Sequence, residues 1–240
     1  MKKIILFIAV LFATATAKAQ FGGYNYYEWG IGIGASYERG FTNITRQYDN
    51  IGFDGSIIYN FSPYLPIAAE IQLGTLSGGG LLPSQDPYGR RYTNKYKALL
   101  LHFDIQLGAL IDYGDGGFLN FAKGFYGGSG IGVIFNNNTV QRYSIYNPDF
   151  RFQGSDQSTN ISLPIRVGYE FKIYDDYDQP AYAINLGYIH SFVFGEGLDG
   201  YNANSQVFKN IASDQYRQIT IGFKYFFGRT VSFNKLVRDR

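Results

Sequence analysis

The segment that decides the fold is residues 97–113, KALLLHFDIQLGALIDY, in which apolar and polar side chains alternate. One face of this segment carries Leu99, Leu101, Phe103, Ile105, Leu107 and Ile111, and the other carries His102, Asp104, Gln106, Gly108 and Asp112. Successive side chains of a β-strand point to opposite faces, so this period of two predicts a strand with one apolar and one polar face. When tilted, such a strand is long enough to cross a membrane.

The same alternation recurs about eight times along the chain, and the segments are 27–37, 51–61, 65–76, 97–113, 122–136, 161–173, 181–194 and 216–227. In the first of them, Trp29 and Tyr37 flank Ile31 and Ile33. Aromatic rings at the ends and aliphatic side chains between them are typical of a lipid-facing strand. We therefore predict an all-β fold, a transmembrane antiparallel up-and-down β-barrel of eight strands, with ten strands as the alternative number.

Connections between the segments alternate in length. Those after the second, fourth and sixth segments are comparatively short, namely Ser62–Tyr64, Gly114–Phe121 and Tyr174–Pro180, whereas the others are long and polar. Bacterial barrels have short periplasmic turns and longer outer loops. An even number of strands then predicts that both termini are periplasmic.

The N-terminus predicts export. Lys2 and Lys3 precede an apolar run over residues 4–12, and Ala17-Lys18-Ala19 has the small residues of a signal-peptidase site. We predict a signal peptide over residues 1–19, then a single barrel domain over 20–240 in the outer membrane, ending in a periplasmic tail from about residue 229. The sequence has no cysteine, which excludes disulfides, cysteine-bound metals and a lipoprotein anchor.

A soluble β-sandwich or lipocalin-like barrel also alternates, and it is the main structural alternative. In such a soluble fold, the apolar face points inward and the outer face is charged. Here the second face is rich in Gly, Ser, Asn and Gln, and only 17% of residues are charged, which favours a crowded polar interior within a membrane. A net charge of +2 without an evident basic stripe gives no reason to expect a nucleic-acid partner.

Charged residues on the polar faces predict a network inside the barrel, made of Asp54, Glu70, His102, Asp104, Arg166, Glu170, Lys172 and Lys224. An eight-stranded barrel is only wide enough for side chains, and charges there must pair. Arg166 is the expected partner of Glu70 or Asp104, because a guanidinium binds a carboxylate bidentately. This predicts a plugged barrel.

Two loop segments mix aromatic residues with arginine, the composition of binding hot spots. Their candidate residues are Tyr88, Arg90, Arg91 and Tyr92 in one segment and Arg142, Tyr143 and Tyr146 in the other. The expected partners are outer-membrane lipid and other envelope proteins. A small-molecule ligand cannot be named from the sequence.

The sequence predicts no catalytic residue, metal site or cofactor. His102 faces inward beside Asp104, but no serine is clearly placed to complete a triad with it, and His190 falls on the lipid-facing side of its strand. The turn Asp175-Asp176-Tyr177-Asp178 lacks the glycine and glutamate of a specific calcium loop, so we predict a solvated turn.

The chain resembles the small outer-membrane β-barrel proteins of Bacteroidota, a group similar to the PorT-like barrels. The resemblance covers about residues 27–227 and is carried by the segments 60–66 (NFSPYLP), 70–79 (EIQLGTLSGG), 124–133 (GFYGGSGIGV) and 163–170 (LPIRVGYE). It implies an outer-membrane architecture with a role that is often unassigned, some members being linked to secretion or conjugation. The tail 231–240 departs from the group, because many barrels end on an aromatic residue and the equivalent here is Phe227.

Together these patterns predict a non-enzymatic structural, adhesion or assembly component that acts through its outer loops and outer wall. A passive channel for small solutes is one alternative, and a hydrolase with His102 or His190 near a serine is the other.

Overall fold

Eight antiparallel strands close into a barrel in the computed structural model, which describes residues 24–110, 117–202 and 213–233. The strands are β1 (Tyr24–Phe41), β2 (Gln47–Ser62), β3 (Leu65–Gly79), β4 (Arg91–Gln106), β5 (Phe125–Val140), β6 (Gln157–Tyr174), β7 (Pro180–Phe194) and β8 (Gln215–Phe233). A 3₁₀ turn (Leu107–Ala109) and a short helix α1 (Gly117–Ala122) lie between β4 and β5. Each strand pairs with the next in the chain, so the predicted up-and-down barrel of eight strands is confirmed.

The barrel closes where β1 pairs with β8, from Tyr24 opposite Phe233 to Phe41 opposite Gln215. This pairing carries β8 through Phe233, into the segment predicted as a tail from about residue 229. Residues 234–240 and the predicted signal peptide lie outside the described residues. Within the described residues, no helix has the length and apolar character needed to cross a bilayer.

Outward side chains have odd numbers on β1 to β6 and on β8 and even numbers on β7, and the side chains between them point into the lumen. The outer face is apolar, with Ile33 70% exposed and Phe53 63% exposed. The inner face is polar, and Gln72 and Gln218 are each 2% exposed. This distribution is the reverse of a soluble barrel, which hides apolar side chains and exposes charged ones. The lipocalin-like alternative is therefore wrong, and the outer wall is suited to lipid.

Aromatic side chains form a girdle around the end of the barrel that carries the short turns. Trp29 contacts Tyr59, and Tyr59 contacts Phe61, with ring centroids 5.1 and 5.0 Å apart. Further along the same rim, Tyr169 stacks on Phe121, and Tyr182 stacks on Tyr225. Amphipathic rings of this kind lie at the level of lipid headgroups in membrane barrels.

The strands differ from prediction at their ends. The prediction that the fourth strand runs to residue 113 is wrong, because the backbone turns after Gln106 and the Gly108 amide donates to the Lys123 carbonyl at 2.9 Å. Leu107 therefore belongs to the 3₁₀ turn, and Ile111 lies outside the described residues. The prediction that the fifth strand starts at residue 122 is also wrong, because Ala122 ends α1 and β5 starts at Phe125.

The loop between β1 and β2 is shorter than predicted, because it covers only residues 42–46. The first predicted strand ends at residue 37 and the second begins at residue 51, because the next outward positions are the charged Arg39 and Asp49. The backbone ladder nevertheless continues, and Arg39 pairs with Asp49 across it at 3.5 Å. The other three connections at this end, 80–90, 141–156 and 195–214, are long, whereas 63–64 and 175–179 at the opposite end are short. The prediction of a short link after the fourth strand is wrong, because β4 ends at Gln106 and the connection to β5 covers residues 107–124.

Candidate functional site

All eight charged residues predicted inside the barrel occupy even positions and face the lumen. They do not form a single cluster, because the strands place them at two different depths. Glu70, His102, Asp104 and Arg166 lie together near the middle of the barrel, and Glu170, Lys172 and Lys224 lie nearer to the short-turn end. Asp54 lines the lumen beside the middle group without an ion pair among the described residues.

In the middle cluster, Arg166 lies between two carboxylates. Its Nη1 atom is 3.6 Å from Oε2 of Glu70, and its Nε atom is 3.3 Å from Oδ1 of Asp104. The ring of His102 also lies between them, with Nε2 3.2 Å from Glu70 and Nδ1 3.6 Å from Asp104. The carboxylates are thus compensated by a cation and a polarisable ring, as a buried charge requires. The expected pairing of Arg166 includes both candidates, Glu70 and Asp104.

The second cluster surrounds Glu170. Lys224 donates to Oε2 of Glu170 at 2.6 Å, and Gln106 donates to Oε1 at 2.8 Å. Lys172 lies 3.6 Å from the same carboxylate and 4.5 Å from the ring centroid of Tyr64. These contacts join β4, β6 and β8 across the lumen and block it at this depth.

A third polar layer, which the sequence did not predict, lies towards the outer loops. Glu38 accepts hydrogen bonds from Ser36, Tyr96 and Gln218, at 2.7, 2.7 and 2.9 Å. Glu38 continues the even-numbered polar face of β1, so the alternation of the sequence extends to it. The predicted first strand nevertheless ends at residue 37, which leaves Glu38 out of the expected lumen.

A cavity of about 40 Å³ remains beside the middle cluster, lined in part by Asp54, Ser56, His102 and Arg166. Some polar atoms of the middle cluster have no hydrogen bond to the described residues, among them Nε and Nη1 of Arg166 and Nδ1 of His102. A water molecule needs roughly 10–15 Å³ and two to four polar partners. The cavity therefore has the size and polarity for a few water molecules, and it is too small for an organic solute.

The outer loops fill the mouth of the barrel. Leu198 and Tyr201, from the loop between β7 and β8, pack with Ile44 and Phe152 from two other loops. Asn94 donates from the barrel wall to the Leu198 carbonyl at 2.9 Å. The mouth is thus sealed by an apolar contact layer above the polar lumen.

Two buried carboxylates hold this inserted loop. Asp214 accepts the amides of Gly197 and Leu198 at 3.2 and 2.9 Å, and Asp199 accepts the amide of Tyr201 at 2.9 Å. Burial, together with the nearby charge of Asp199, raises the pKa of Asp214 to about 8. Burial also raises the pKa of Asp199, although Arg90 acts in the opposite direction.

The loop candidates separate into buried and exposed groups. Arg90 is buried and clasps Asp86, with Nη2 2.9 Å from Oδ1, and Tyr92 is buried with its hydroxyl 2.6 Å from Gln47. Arg142 is half-buried, pairs with Asp156 and donates to the Gly200 carbonyl at 2.8 Å. The exposed candidates are Tyr88, Arg91, Tyr143 and Tyr146.

Neither histidine lies in an arrangement for nucleophilic catalysis. Both ring nitrogens of His102 face carboxylates, so neither is directed at a serine hydroxyl. His190 lies on the outer face, as predicted, where its Nε2 is 2.8 Å from Gln215 and its ring contacts Phe192. In the Asp-rich turn, Asp175 accepts the amides of Tyr177 and Gln179 and so is used to close the turn. Within the described ranges, no group of three or more His, Asp or Glu side chains is arranged so that it could hold a metal ion.

A closed barrel with an apolar wall, an aromatic girdle and a polar, side-chain-filled interior defines the class: the chain is a transmembrane β-barrel of eight strands. No protein-family model matches the chain, and no curated protein matches it in sequence. The resemblance to the Bacteroidota barrels therefore stays a prediction.

Solved structures similar to this fold are small outer-membrane barrels. Neisserial surface protein A has 10% sequence identity and a TM-score of 0.48, covering 86% of this chain and 100% of its own. Ail, the attachment invasion locus protein of Yersinia pestis, has 14% identity and a TM-score of 0.44, covering 84% and 99%. CarO of Acinetobacter baumannii has 14% identity and a TM-score of 0.41, covering 81% and 97%.

Proposed function

We propose that the protein is a non-enzymatic, non-conducting outer-membrane barrel that serves as an attachment or assembly component and binds other envelope or surface proteins through its outer loops. The observation that carries this proposal is an exposed apolar surface shared by two loops. We call it the loop patch, and it consists of Leu81, Leu82, Tyr88, Tyr143, Ile145, Tyr146 and Phe150.

The two loops that form the loop patch contact each other. The Ile145 side chain lies against Gly89, and the Tyr146 hydroxyl donates to the Leu81 carbonyl at 3.4 Å. Backbone hydrogen bonds from Ser144 to Phe150 and from Phe152 to Arg142 close the second loop on itself. Exposed apolar patches on an otherwise soluble surface mark interaction sites, and tyrosine supplies large contact area at low entropic cost.

The filled lumen favours this role over a solute channel. Three polar layers and the inserted loop lie in series along the barrel axis, and the central cavity of about 40 Å³ is lined by apolar and charged side chains, Glu70, Asp104 and Arg166 among them. A solute would have to separate buried ion pairs to pass, and exposing one buried partner typically costs about 3–5 kcal/mol. The hydrolase alternative has less support still, because both nitrogens of His102 face carboxylates.

Location and orientation are tested first. The mature protein should fractionate with the outer membrane and migrate faster on gels unheated than boiled, as closed barrels do. A tag inserted between Tyr146 and Asn147 should be accessible to antibody on intact cells, whereas a tag in the turn at Tyr177 should not. Recovery as a soluble periplasmic protein, or the reverse accessibility of the two tags, would contradict the proposed placement.

The binding role is tested by placing a photo-crosslinking amino acid at single positions in intact cells. At Tyr146 in the loop patch we expect a discrete protein adduct that is lost when Tyr143 and Phe150 are changed to serine. At Tyr177, a tyrosine at the opposite end that is 81% exposed against 55% for Tyr146, that adduct should be absent. Equal crosslinking at both positions, or an adduct that survives the patch substitutions, would exclude the loop patch as the binding surface.

Conduction is tested separately in planar bilayers. The purified barrel should show no steady single-channel current, and Arg166→Ala should leave the outer seal of Leu198 and Tyr201 in place. Reproducible current from the wild-type protein, changed by Arg166→Ala, would favour the channel alternative.

A further inference from the structure

Three cations line up on the outward face of β4 at its outer end. Arg91, Lys95 and Lys97 are all exposed, and their odd positions place them on the same face of the strand. We call this group the basic stripe. The apolar pattern of the sequence does not indicate the stripe, because it predicts a fourth strand that starts at residue 97 and so places Arg91 and Lys95 in a loop.

The depth of the basic stripe follows from strand geometry. Lys97 lies eight residues from Ile105, the last outward apolar residue of β4, and the exposed Leu107 and Leu110 extend the apolar surface beyond the strand. At about 3.4 Å per residue and a tilt of about 45°, Lys97 and Ile105 are about 19 Å apart along the membrane normal. The apolar band of membrane barrels is about 25 Å tall, so with the turn included Lys97 lies at the outer border of the hydrocarbon. Lys95 and Arg91 then lie progressively further out, among the headgroups.

The neighbouring strands provide an uncharged, hydrogen-bonding surround. Lys97 lies between Leu73 on β3 and Phe135 on β5, along which its aliphatic stem can extend. Further out, Thr93 lies between Ser77 and Thr139. The outward positions of β3, β4 and β5 include no carboxylate, and the ion pairs of the described residues do not involve any member of the stripe.

Exposed charges elsewhere on the barrel are arranged differently from the basic stripe. On β1 and β2 the outward cation Arg39 is paired with Asp49, and its neighbour on β8, Arg217, lies over the ring of Phe41. At the opposite end of the barrel, the turn between β6 and β7 carries Asp175, Asp176 and Asp178. The basic stripe thus differs in placing three outward cations on one strand with no outward carboxylate on it or on its two neighbours.

We propose that the basic stripe binds a phosphate-bearing anionic lipid of the surrounding leaflet, with its acyl chains on the apolar face below Lys97 and its phosphate held by Lys95 and Lys97. Cations next to a bilayer attract anionic lipid, and lysine stems lie along apolar surface while the ammonium reaches the headgroups. Arg91, the outermost cation, contacts the more distal part of the headgroup. The inference rests on the barrel spanning a membrane, and it is independent of the loop patch.

The test is the selectivity of the folded barrel for spin-labelled phosphatidylglycerol over spin-labelled phosphatidylcholine in vesicles, measured by electron paramagnetic resonance. Each lysine should contribute up to about a fivefold preference, the factor that about 1 kcal/mol per interfacial cation corresponds to. The double variant Lys95→Gln/Lys97→Gln should lose most of the selectivity, and Lys95→Arg/Lys97→Arg should keep it. Arg46→Gln/Arg151→Gln, which removes two exposed loop cations, is the charge-matched control and should behave like the wild type.

Several results would overturn the proposal. They are an absence of selectivity in the wild-type barrel, selectivity that survives the lysine-to-glutamine changes, and equal loss in the Arg46/Arg151 control. Displacement of the lipid by glycerol phosphate at matched ionic strength would also do so, because it would assign the stripe to a dissolved ligand. Folding of each variant is checked by its gel mobility before and after heating, and failure of the loop-patch experiment would leave this result unaffected.

Discussion

Asp104 and Arg166 meet across a glycine: Oδ1 of Asp104 lies 3.3 Å from Nε of Arg166, although β5 lies between their strands. Gly128 on β5 is paired with Asp104 on one side and with Arg166 on the other. A Cβ atom at Gly128 would lie 2.1 Å from Oδ1 of Asp104. The glycine-rich character of β5 is thereby explained, because the inward glycines of this strand let side chains from β4 and β6 reach each other.

Gly128→Ala should therefore destabilise the barrel. The added methyl group has to displace the Asp104 carboxylate from Arg166, and overpacking of this kind costs about 1–3 kcal/mol. Urea titration of the folded barrel in lipid vesicles measures the difference. Gly127→Ala is the matched control, since a Cβ there has nothing within 4 Å and points to the lipid side. Equal effects of the two substitutions would show that the space at Gly128 is not what holds the ion pair.

Arg166→Ala should lower the free energy of unfolding by about 3–5 kcal/mol, because it leaves Glu70 and Asp104 buried without their cation. Phe103→Leu, on the lipid side of β4, should cost much less. The same titration provides a double-mutant cycle: Arg166→Ala with Asp104→Ala should cost less than the sum of the single changes. Strict additivity would mean that Arg166 and Asp104 are not energetically coupled.

Charge on the lipid face should be penalised according to depth. Val167 is 50% exposed and Ile173 is 45% exposed on the outer face of β6, with Ile173 nearer to the short-turn rim. Arg at position 167 should cost about 2–4 kcal/mol, as near a bilayer midplane, and Arg at 173 about 0–1 kcal/mol, as near an interface. Folding titrations into vesicles give both values. Equal penalties, or refolding that requires no lipid, would be inconsistent with a membrane-spanning wall.

The seal made by the β7–β8 loop should weaken as pH rises. The pKa of Asp214 is raised by burial to about 8, against about 3.9 in an unfolded chain, so the folded loop binds a proton that the open loop releases between those values. Stability of the closed loop is therefore greatest below about pH 4 and falls towards pH 8. Hydrogen-exchange protection of the Gly197 and Leu198 amides, corrected for intrinsic rates, should fall by up to about tenfold per pH unit.

Asp214→Asn is the control for this pH dependence. The amide oxygen can still accept the two backbone hydrogen bonds, but it does not titrate, so protection should change much less with pH. Arg90 and Glu196, the other charged groups near the acidic pair, stay unchanged in this variant. A wild-type loop whose protection is constant between pH 5 and 9 would contradict the expected titration.

The interior of the barrel was predictable in part. Alternation alone assigns Glu70, Asp104 and Arg166 to the lumen, since the side-chain period of a strand is two. It does not determine how far the strands are staggered, and the stagger decides which charges share a depth. The register between β4, β5 and β6 brings Asp104 to Arg166 and leaves Glu170 with Lys172 and Lys224 in a separate cluster.

Strand ends were the least predictable feature, for a physical reason that Glu38 and Lys95 illustrate. The hydrophobic pattern reports where the wall meets lipid, whereas the hydrogen-bonded ladder continues wherever backbone partners are available. Both residues lie on strands beyond the apolar band. Glu38 consequently became part of a lumen layer, and Lys95 became part of the basic stripe, although neither was expected in a strand.

In the loops, composition predicts which residue types lie near the mouth, and tertiary contacts decide which of them are exposed. The composition of residues 88–92 correctly marks aromatic and arginine side chains near the mouth, but whether they face solvent depends on contacts from distant parts of the chain. Asp86 and Asn43 draw Arg90 inward, and Gln47 holds Tyr92, so only Tyr88 and Arg91 of this group stay exposed.

Local periodicity determined the class of fold and which side chains face lipid, because these depend on the alternation of neighbouring residues, and it favoured eight strands over ten. The stagger of the strands, the pairing of the buried charges, the sealed mouth and the alignment of the basic stripe were decided by the tertiary structure. Each of these depends on contacts between strands and loops that are remote in the chain, as in the pairing of β1 with β8.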